Sequence, residues 1–571
     1  MAVLSSGCSP HNASLIPVSV NGLSSVQEQA IARRAYAALD AHFSGEGIRE
    51  EFALSLTDTY HKLFITVLRN NATRCCMSGQ AGADVPDRLT EDIDQAVERC
   101  INDERYGGVL RAEETQDAEL IFTFLLDNPR QLEGDLHAME KQVELGIHSL
   151  EVVRGSKNAY FKESVPISSN YNFQKTLDRL CKKAGLEARC YDDPETQVLA
   201  YDTRTFKAGR DGSVTELYRY NIPLPEEIDR PFLLDRLRLA EQWFAATVHP
   251  NRGLLEYMYY PSSDSYSTEN NDVRQLATLW AMVELENFLQ SDRLDTVIRN
   301  TFTSSMSMLV CGEQSCYVNI DGSTKIAYNA FLILALLGRS DFSADTAAKL
   351  AQALLDQQQP DGSYRTDFTS PAISGIDYYP GEAMLALMRF YERTHDPRYL
   401  DSVRRAFPYY SAYWRGNKNT AFFPWQAQVY YLFYKAEPNP TVAEFVFEMA
   451  DWMVDTHQIA ESPYRDLPGA FTRGNPRNST SVYMEGMNDA YALALLVGDI
   501  ERIEKYKRSI QEGMRFSLLT QYTPEGAFYI GNPTRAIGGF RASLTDNSQR
   551  IDYTQHAVFA LLKSLQHAVF E

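Results

Sequence analysis

Six short segments in the second half of the 571-residue chain bring acidic and aromatic side chains together. They read ENNDVRQ (269–275), STKIAYN (323–329), GIDYYPGE (375–382), FFPWQAQ (422–428), SVYMEGMND (481–489) and RIDYTQH (550–556). Four of them supply carboxylates: Asp272, Asp377 with Glu382, Glu485 with Asp489, and Asp552. Tyr328, Tyr378, Tyr379, Trp425, Tyr483 and Tyr553 accompany these acids, and Arg274, Lys325 and Arg541 are basic neighbours. Carboxylates among aromatic faces suit sugar chemistry. Ring faces cover the apolar side of a pyranose. One carboxylic acid protonates the leaving oxygen, and a second carboxylate activates water or attacks the anomeric carbon. Asp377 and Glu485 are the first candidates for that pair, followed by Asp552 and Asp272. Tyr378, Tyr483, Trp425, Arg274, His556 and Tyr328 are the expected substrate-binding residues. A working pair about 6.5–9.5 Å apart would invert the anomeric centre, and one about 5–5.5 Å apart would retain it.

A second chemistry competes with hydrolysis. His249, His457 and His556 fall on the same side of the expected layout, and histidines exchange protons at a sugar carbon in epimerases and isomerases. The segments also admit a non-catalytic account. An Asp or Glu in a helix's first turn stabilises it by about 0.3–2 kcal/mol through the exposed N–H groups, and Tyr and Trp can simply fill a core. A ring that binds a glycan or a protein without turnover is the corresponding third reading.

The elements that would position these residues follow from periodicity. Twelve helices are expected after residue 231, in alternating roles. The first of each pair fall near 232–248, 292–310, 342–359, 397–415, 440–457 and 499–520. The second fall near 271–290, 323–338, 377–394, 421–435, 481–497 and 551–569. Connections leaving each second helix are short, such as THDP (394–397) and VGD (497–499), whereas most entering them are long and rich in Gly, Pro and aromatics. In a ring of antiparallel hairpins the two loop sets lie on opposite faces, and long loops mark the functional one. The second helices, such as KIAYNAFLILALL and MNDAYALALLV, carry little polar striping, so they form the buried inner ring. The expected architecture is an all-α (α/α)6 toroid over 232–571.

Before it, residues 1–22 read as a flexible N-terminus, 23–215 as an α+β domain, and the Pro-punctuated stretch 216–231 as a linker. LFITVLR (63–69), AELIFTFLL (118–126) and LEVVRG (150–155) are expected strands. Segments 26–43, 87–101 and 172–185 are expected helices, with Gly185 as a C-terminal cap.

Composition bounds the partners. The net charge of −20 disfavours nucleic acid and anionic membranes. No run reaches 18 apolar residues, and the N-terminus lacks the pattern of a signal peptide. Eight cysteines form no CxxC motif, and scattered thiols fit a reducing, cytosolic compartment. Cys311 and Cys316 are the one pairing considered. Neither a helical His-x3-His, nor a calcium-spaced acidic loop, nor a Gly-rich phosphate loop is present, so no metal or cofactor is expected.

Two resemblances bear on these units. Arg74-Cys75-Cys76-Met77-Ser78-Gly79 resembles the AMMECR1 family's basic–Gly-Cys-Ile-Gly loop. INDERYGG (101–108), ELGIHSLEVVRGSKNAYF (144–161) and FQKTLDRLCKKAGL (173–186) are similar to its later segments, so the likeness spans about 25–210. It implies an α+β fold and a cytosolic location. Cys76 would stand at the family's cysteine, as a candidate nucleophile or ligand. Cys75 and Ser78 replace two of the family's glycines, and Lys-Glu-Ser-Val (162–165) replaces its Leu-Pro-Gln-Val turn. The second half is similar to six-hairpin glycosidases, sugar epimerases and polysaccharide lyases, on QQQPDGSY (357–364) and GEAMLALMRFYERTHDPRYL (381–400).

Overall fold

Alternating branched and aromatic residues give way to helical periodicity near residue 223, and the chain divides there into two units, Met1–Pro223 and Leu224–Glu571. The computed structural model describes residues 19–48, 52, 54, 56, 60–82, 85, 87–249, 253–341, 343–371, 374–472 and 476–571. Positions 1–18 of the expected flexible N-terminus lie outside the described residues.

In the first unit nine strands are described: β1 (Tyr60–Arg69), β2 (Ala72–Ser78), β3 (Glu119–Leu126), β4 (Arg130–Gln131), β5 (Ser149–Arg154), β6 (Lys157–Phe161), β7 (Gln197–Tyr201), β8 (Thr203–Ala208) and β9 (Val214–Leu217). They form two antiparallel sheets, ordered β2-β1-β3-β8-β9 and β4-β7-β5-β6. Helices α1 (Ser25–Ser44) and α2 (Arg88–Ile101) cover one face of the first sheet. Leu63, Ile65 and Val67 alternate into that core with Ile31, Leu39 and Ile93. Of the remaining helices, α3 (Leu136–Glu140), α4 (Ser164–Ser169) and α5 (Phe173–Lys183), the last packs Leu177 and Leu180 against the second sheet. Gly185, at φ +71°, ends α5 as the sequence suggests, with the Leu186 N–H returning to Cys181 O. β9 and the Tyr218–Asn221 bridge occupy the start of the expected linker.

The second unit contains six helical hairpins: α6 (Arg230–Ala246) with α7 (Asp272–Leu289), α8 (Asp295–Ser307) with α9 (Ile326–Leu337), α10 (Ala344–Asp356) with α11 (Tyr379–Thr394), α12 (Pro397–Gly416) with α13 (Phe423–Ala436), α14 (Pro440–His457) with α15 (Ser479–Val497), and α16 (Ile500–Leu519) with α18 (Ile551–Gln566). A single turn, α17 (Pro533–Ala536), interrupts the last long loop. The inner helices pack in sequence, α7 on α9, α9 on α11, α11 on α13, α13 on α15 and α15 on α18, and α18 packs back on α7. That return contact closes the ring and establishes the (α/α)6 toroid. No helix among the described residues is long and apolar enough to cross a membrane.

The cysteines correct the reading of scattered thiols. Cys75–Cys100 joins β2 to α2, Cys181–Cys190 joins α5 to the turn that follows it, and Cys311–Cys316 closes the hairpin between β12 (Leu309–Cys311) and β13 (Cys316–Val318) in the loop entering α9. (The short strands β10, Met258–Tyr260, and β11, Ser265–Tyr266, precede that hairpin.) Pairing between elements leaves no motif in the sequence, so spacing alone gives no support to a reducing compartment. Among the described residues the free cysteine is Cys76.

Candidate active site

The inner helices begin at the long-loop face. The second turns of α15 and α18 stand side by side there, and they place Glu485 against His556. The His556 Nδ1 lies 2.6 Å from Glu485 Oε1. Glu485 is 1% exposed. Burial raises its pKa, while the charges of His556 and Lys563 pull the other way. A carboxylate that accepts from Nδ1–H fixes the tautomer and leaves Nε2 as the basic nitrogen. Gly486, beside Glu485, makes this placement possible. A Cβ there would lie 2.8 Å from Pro424 Cα, so only glycine lets α13 approach so closely.

A second acid sits in the first turn of α11, a helix that opens on Tyr379-Pro380, where proline has no N–H to waste. Glu382 is 3% exposed, and its Oε2 has no hydrogen-bond partner. Burial pushes its pKa up to about 8, against the opposing pull of the Lys325 ammonium. The group is a neutral carboxylic acid at pH 7. Trp425 touches a neighbour of each acid. Its ring meets the His556 imidazole edge-on at 6.2 Å, and its Cβ packs where a side chain on Gly381 would stand. Tyr378 senses Asp377, Tyr483, Glu382 and Arg274, and Tyr379 senses Glu382, Tyr328 and Arg274, so these entrances share one mouth.

The other sequence-predicted carboxylates are committed to side chains. Asp377 accepts from Tyr413 Oη and Asn419 Nδ2, both at 2.9 Å. Asp552 is clamped by Arg274 at 3.0 Å and by Arg550. Asp272 accepts from Asn270, while the neighbouring Asn271 caps α7. Asp489 pairs with Lys563 one turn below Glu485. Tyr328 bonds Ser323, Tyr483 donates to Thr420, and Tyr378 stands on the rim at 44% exposure. Arg541 is spent on the carbonyls of Leu519 and Thr520 at the end of α16. His457 ends the outer helix α14 with its ring on Trp452, and His249 lies just past the outer helix α6, so neither is brought to His556. Sequence reasoning named Glu382 only as a companion of Asp377. Its position in an otherwise apolar inner turn was the available signal.

Four aromatic rings link the inner helices. Trp280 meets Phe559 at 4.1 Å and Phe331 at 6.2 Å, and Phe331 meets Trp425 at 5.7 Å, joining α7, α18, α9 and α13. A cavity of about 350 Å³ opens beyond this aromatic layer, at the short-loop end, lined by Leu337, Arg393, Lys563 and Gln566 among others. Its charges are already matched. Lys563 holds Asp489 and Gln428, Arg389 and Lys435 hold Glu392, Trp280 donates to Glu284, and Arg393 has a partner as well. The mouth, by contrast, holds a buried acid with an unpartnered oxygen and, on another inner helix, an oriented imidazole, which makes it the candidate site.

Residues 30–206 match the AMMECR1 family model. The AMMECR1-like unit is also similar to a protein of Thermococcus kodakarensis, 24% identical over 156 residues, which are 26% of this chain and 75% of the relative. The toroid is similar to a D-mannose isomerase (13% identity, TM-score 0.45, 60% of this chain and 100% of the other). It is similar too to a family 76 glycoside hydrolase from a bovine Bacteroides thetaiotaomicron strain (11% identity, TM-score 0.44, 79% and 97%). These likenesses concern the fold.

Proposed function

We propose that the toroid catalyses proton transfer on a sugar or sugar-like polyol, interconverting an aldehyde or ketone with its isomer. The Glu485–His556 contact carries this reading. His556 Nε2 takes the proton from the carbon next to the carbonyl. The C–H electron pair moves toward the carbonyl oxygen, and that oxygen receives the Glu382 proton. His556 then returns its proton to the former carbonyl carbon while the adjacent hydroxyl gives its proton to the Glu382 carboxylate and becomes the new carbonyl, which restores both groups. A carboxyl held neutral by burial is a competent donor at pH 7. Tyr378, Tyr379, Tyr483 and Trp425 offer the faces that hold a sugar ring.

The test is turnover of a panel of aldoses and ketoses in D2O, followed by NMR. Deuterium next to the carbonyl is expected, and His556→Gln or Glu485→Gln should each lower the rate by about 10²–10⁴-fold with the fold intact. Turnover unchanged in both variants would remove the dyad from the chemistry. A second reading, glycoside hydrolysis with Glu382 as the acid on the leaving oxygen, is favoured by its neutral state. Cleavage of an aryl glycoside without deuterium incorporation would establish it instead. Saturable sugar binding with neither reaction would leave a binding ring.

A further inference from the structure

The face of the five-stranded sheet turned away from α1 and α2 carries a polar cluster that the toroid's chemistry does not use. Register fixes its members. Thr66 pairs with Cys76 across β1 and β2, Phe64 with Thr123 across β1 and β3, and Thr123 with Thr205 across β3 and β8, so all five side chains share one face. The turn after β6 lays Lys162 and Glu163 over that face. Lys162 Nζ, nearly buried, donates to Thr66 Oγ1 at 2.6 Å, and the Thr66 hydroxyl donates to Cys76 Sγ at 3.3 Å. The donor chain therefore runs from an ammonium to the sulfur. Lys183 and Arg105 are also within electrostatic reach of the thiol. Arg105 is matched by Asp103, so positive charge predominates.

An independent feature points to a ligand. Glu163 is 2% exposed. Its Oε1 accepts from Thr205 and Thr123 on the same sheet face, yet its Oε2 has no partner. Burial raises its pKa, which favours the neutral carboxyl with a proton to donate. Cys76 itself is half-buried.

We propose that Cys76 is a nucleophilic thiol for small anionic carbonyl compounds, with Thr66 and Lys162 positioning and polarising the sulfur. The sulfur adds to the carbonyl carbon and forms an S–C bond. The carbonyl π pair moves to oxygen, and that oxygen takes the proton lost by the thiol. No leaving group or oxidant is required. Lys162 and Lys183 set the preference for an anion.

The test uses the full chain with glyoxylate as the carbonyl probe and two alkylating reagents, anionic iodoacetate and neutral iodoacetamide, read by mass spectrometry of the Cys76 peptide. Folded protein should favour iodoacetate over iodoacetamide by about tenfold relative to the urea-unfolded chain, and glyoxylate should protect Cys76. Lys162→Met should abolish the preference and the protection, and Lys162→Arg should restore part of both, with circular dichroism confirming that each variant folds. Thr66→Val, which removes only the hydroxyl, provides the check if Lys162→Met unfolds. Equal reagent ratios in folded and unfolded chains, or no protection by glyoxylate, would overturn the assignment.

Discussion

The AMMECR1-like unit and the toroid keep buried polar groups by different means. In the sheet unit the polar cluster lies on the sheet face away from α1 and α2, and covalent cross-links fasten helices elsewhere in the unit: Cys75–Cys100 pins α2 to β2, and Cys181–Cys190 pins α5 to its following turn. In the toroid the Glu485–His556 pair is held by six inner helices closed upon themselves, and the disulfide Cys311–Cys316 lies in a loop outside that ring. The lesson is about the source of rigidity. Each unit holds a buried acid with an unpartnered oxygen, Glu382 in a ring closed by contacts and Glu163 in a small two-sheet unit that carries staples.

Reduction should separate the two units most sharply. Loop-closure entropy for separations of 25 and 9 residues assigns about 6 kcal/mol to the two disulfides of the first unit, against about 2 kcal/mol for the separation of 5 in the toroid. Hydrogen exchange with and without a reductant should show amides of β1 and β3 losing protection while those of α9 and α11 keep theirs. Equal losses would break the contrast.

Alkali should act next, and on the toroid. Glu382 keeps its proton in the folded state up to about pH 8, whereas the unfolded chain releases it near 4.5. Stability therefore falls as pH rises between those values, by on the order of 5 kcal/mol when complete. Glu382→Gln should remove that slope and leave the toroid more stable than wild type at pH 9 in urea titrations. Acid should act on the other unit. His148 is buried and faces Arg130 and Arg219, so its folded pKa drops to about 4 from 6.5. The unfolded chain protonates first, and stability is lost as pH falls from 6.5 toward 4, by on the order of 3 kcal/mol. Exchange at β5 and β7 should accelerate at pH 5 in wild type, and less so in His148→Gln.

The smallest expected effect is steric. Gly486→Ala places a Cβ against the α13 backbone, and should cost the toroid about 1–3 kcal/mol while the sheet unit melts unchanged.

Much of the toroid was legible because its inner helices announce themselves. The expected 377–394 and 481–497 became Tyr379–Thr394 and Ser479–Val497, since unstriped apolar runs between unequal loops admit few other arrangements. The sheet unit was less so. ATRCCMS and VTEL are polar and short, and only pairing with β1 and β8 makes strands of them. The site was legible as a set of entrances but not as a pair. Glu485 and His556 are 71 residues apart, and nothing in either segment specifies the other. Burial decided the role of Glu382, and burial at a helix start depends on the neighbouring helix, here α13 at Gly381.

The layer formed by Trp280, Phe331, Trp425 and Phe559 has a mechanical consequence. Ring touches ring from α18 through α7 and α9 to α13, so a bulkier side chain at any of the four would push on its neighbours in turn, and the disturbance would reach Trp425 and the His556 imidazole beside it.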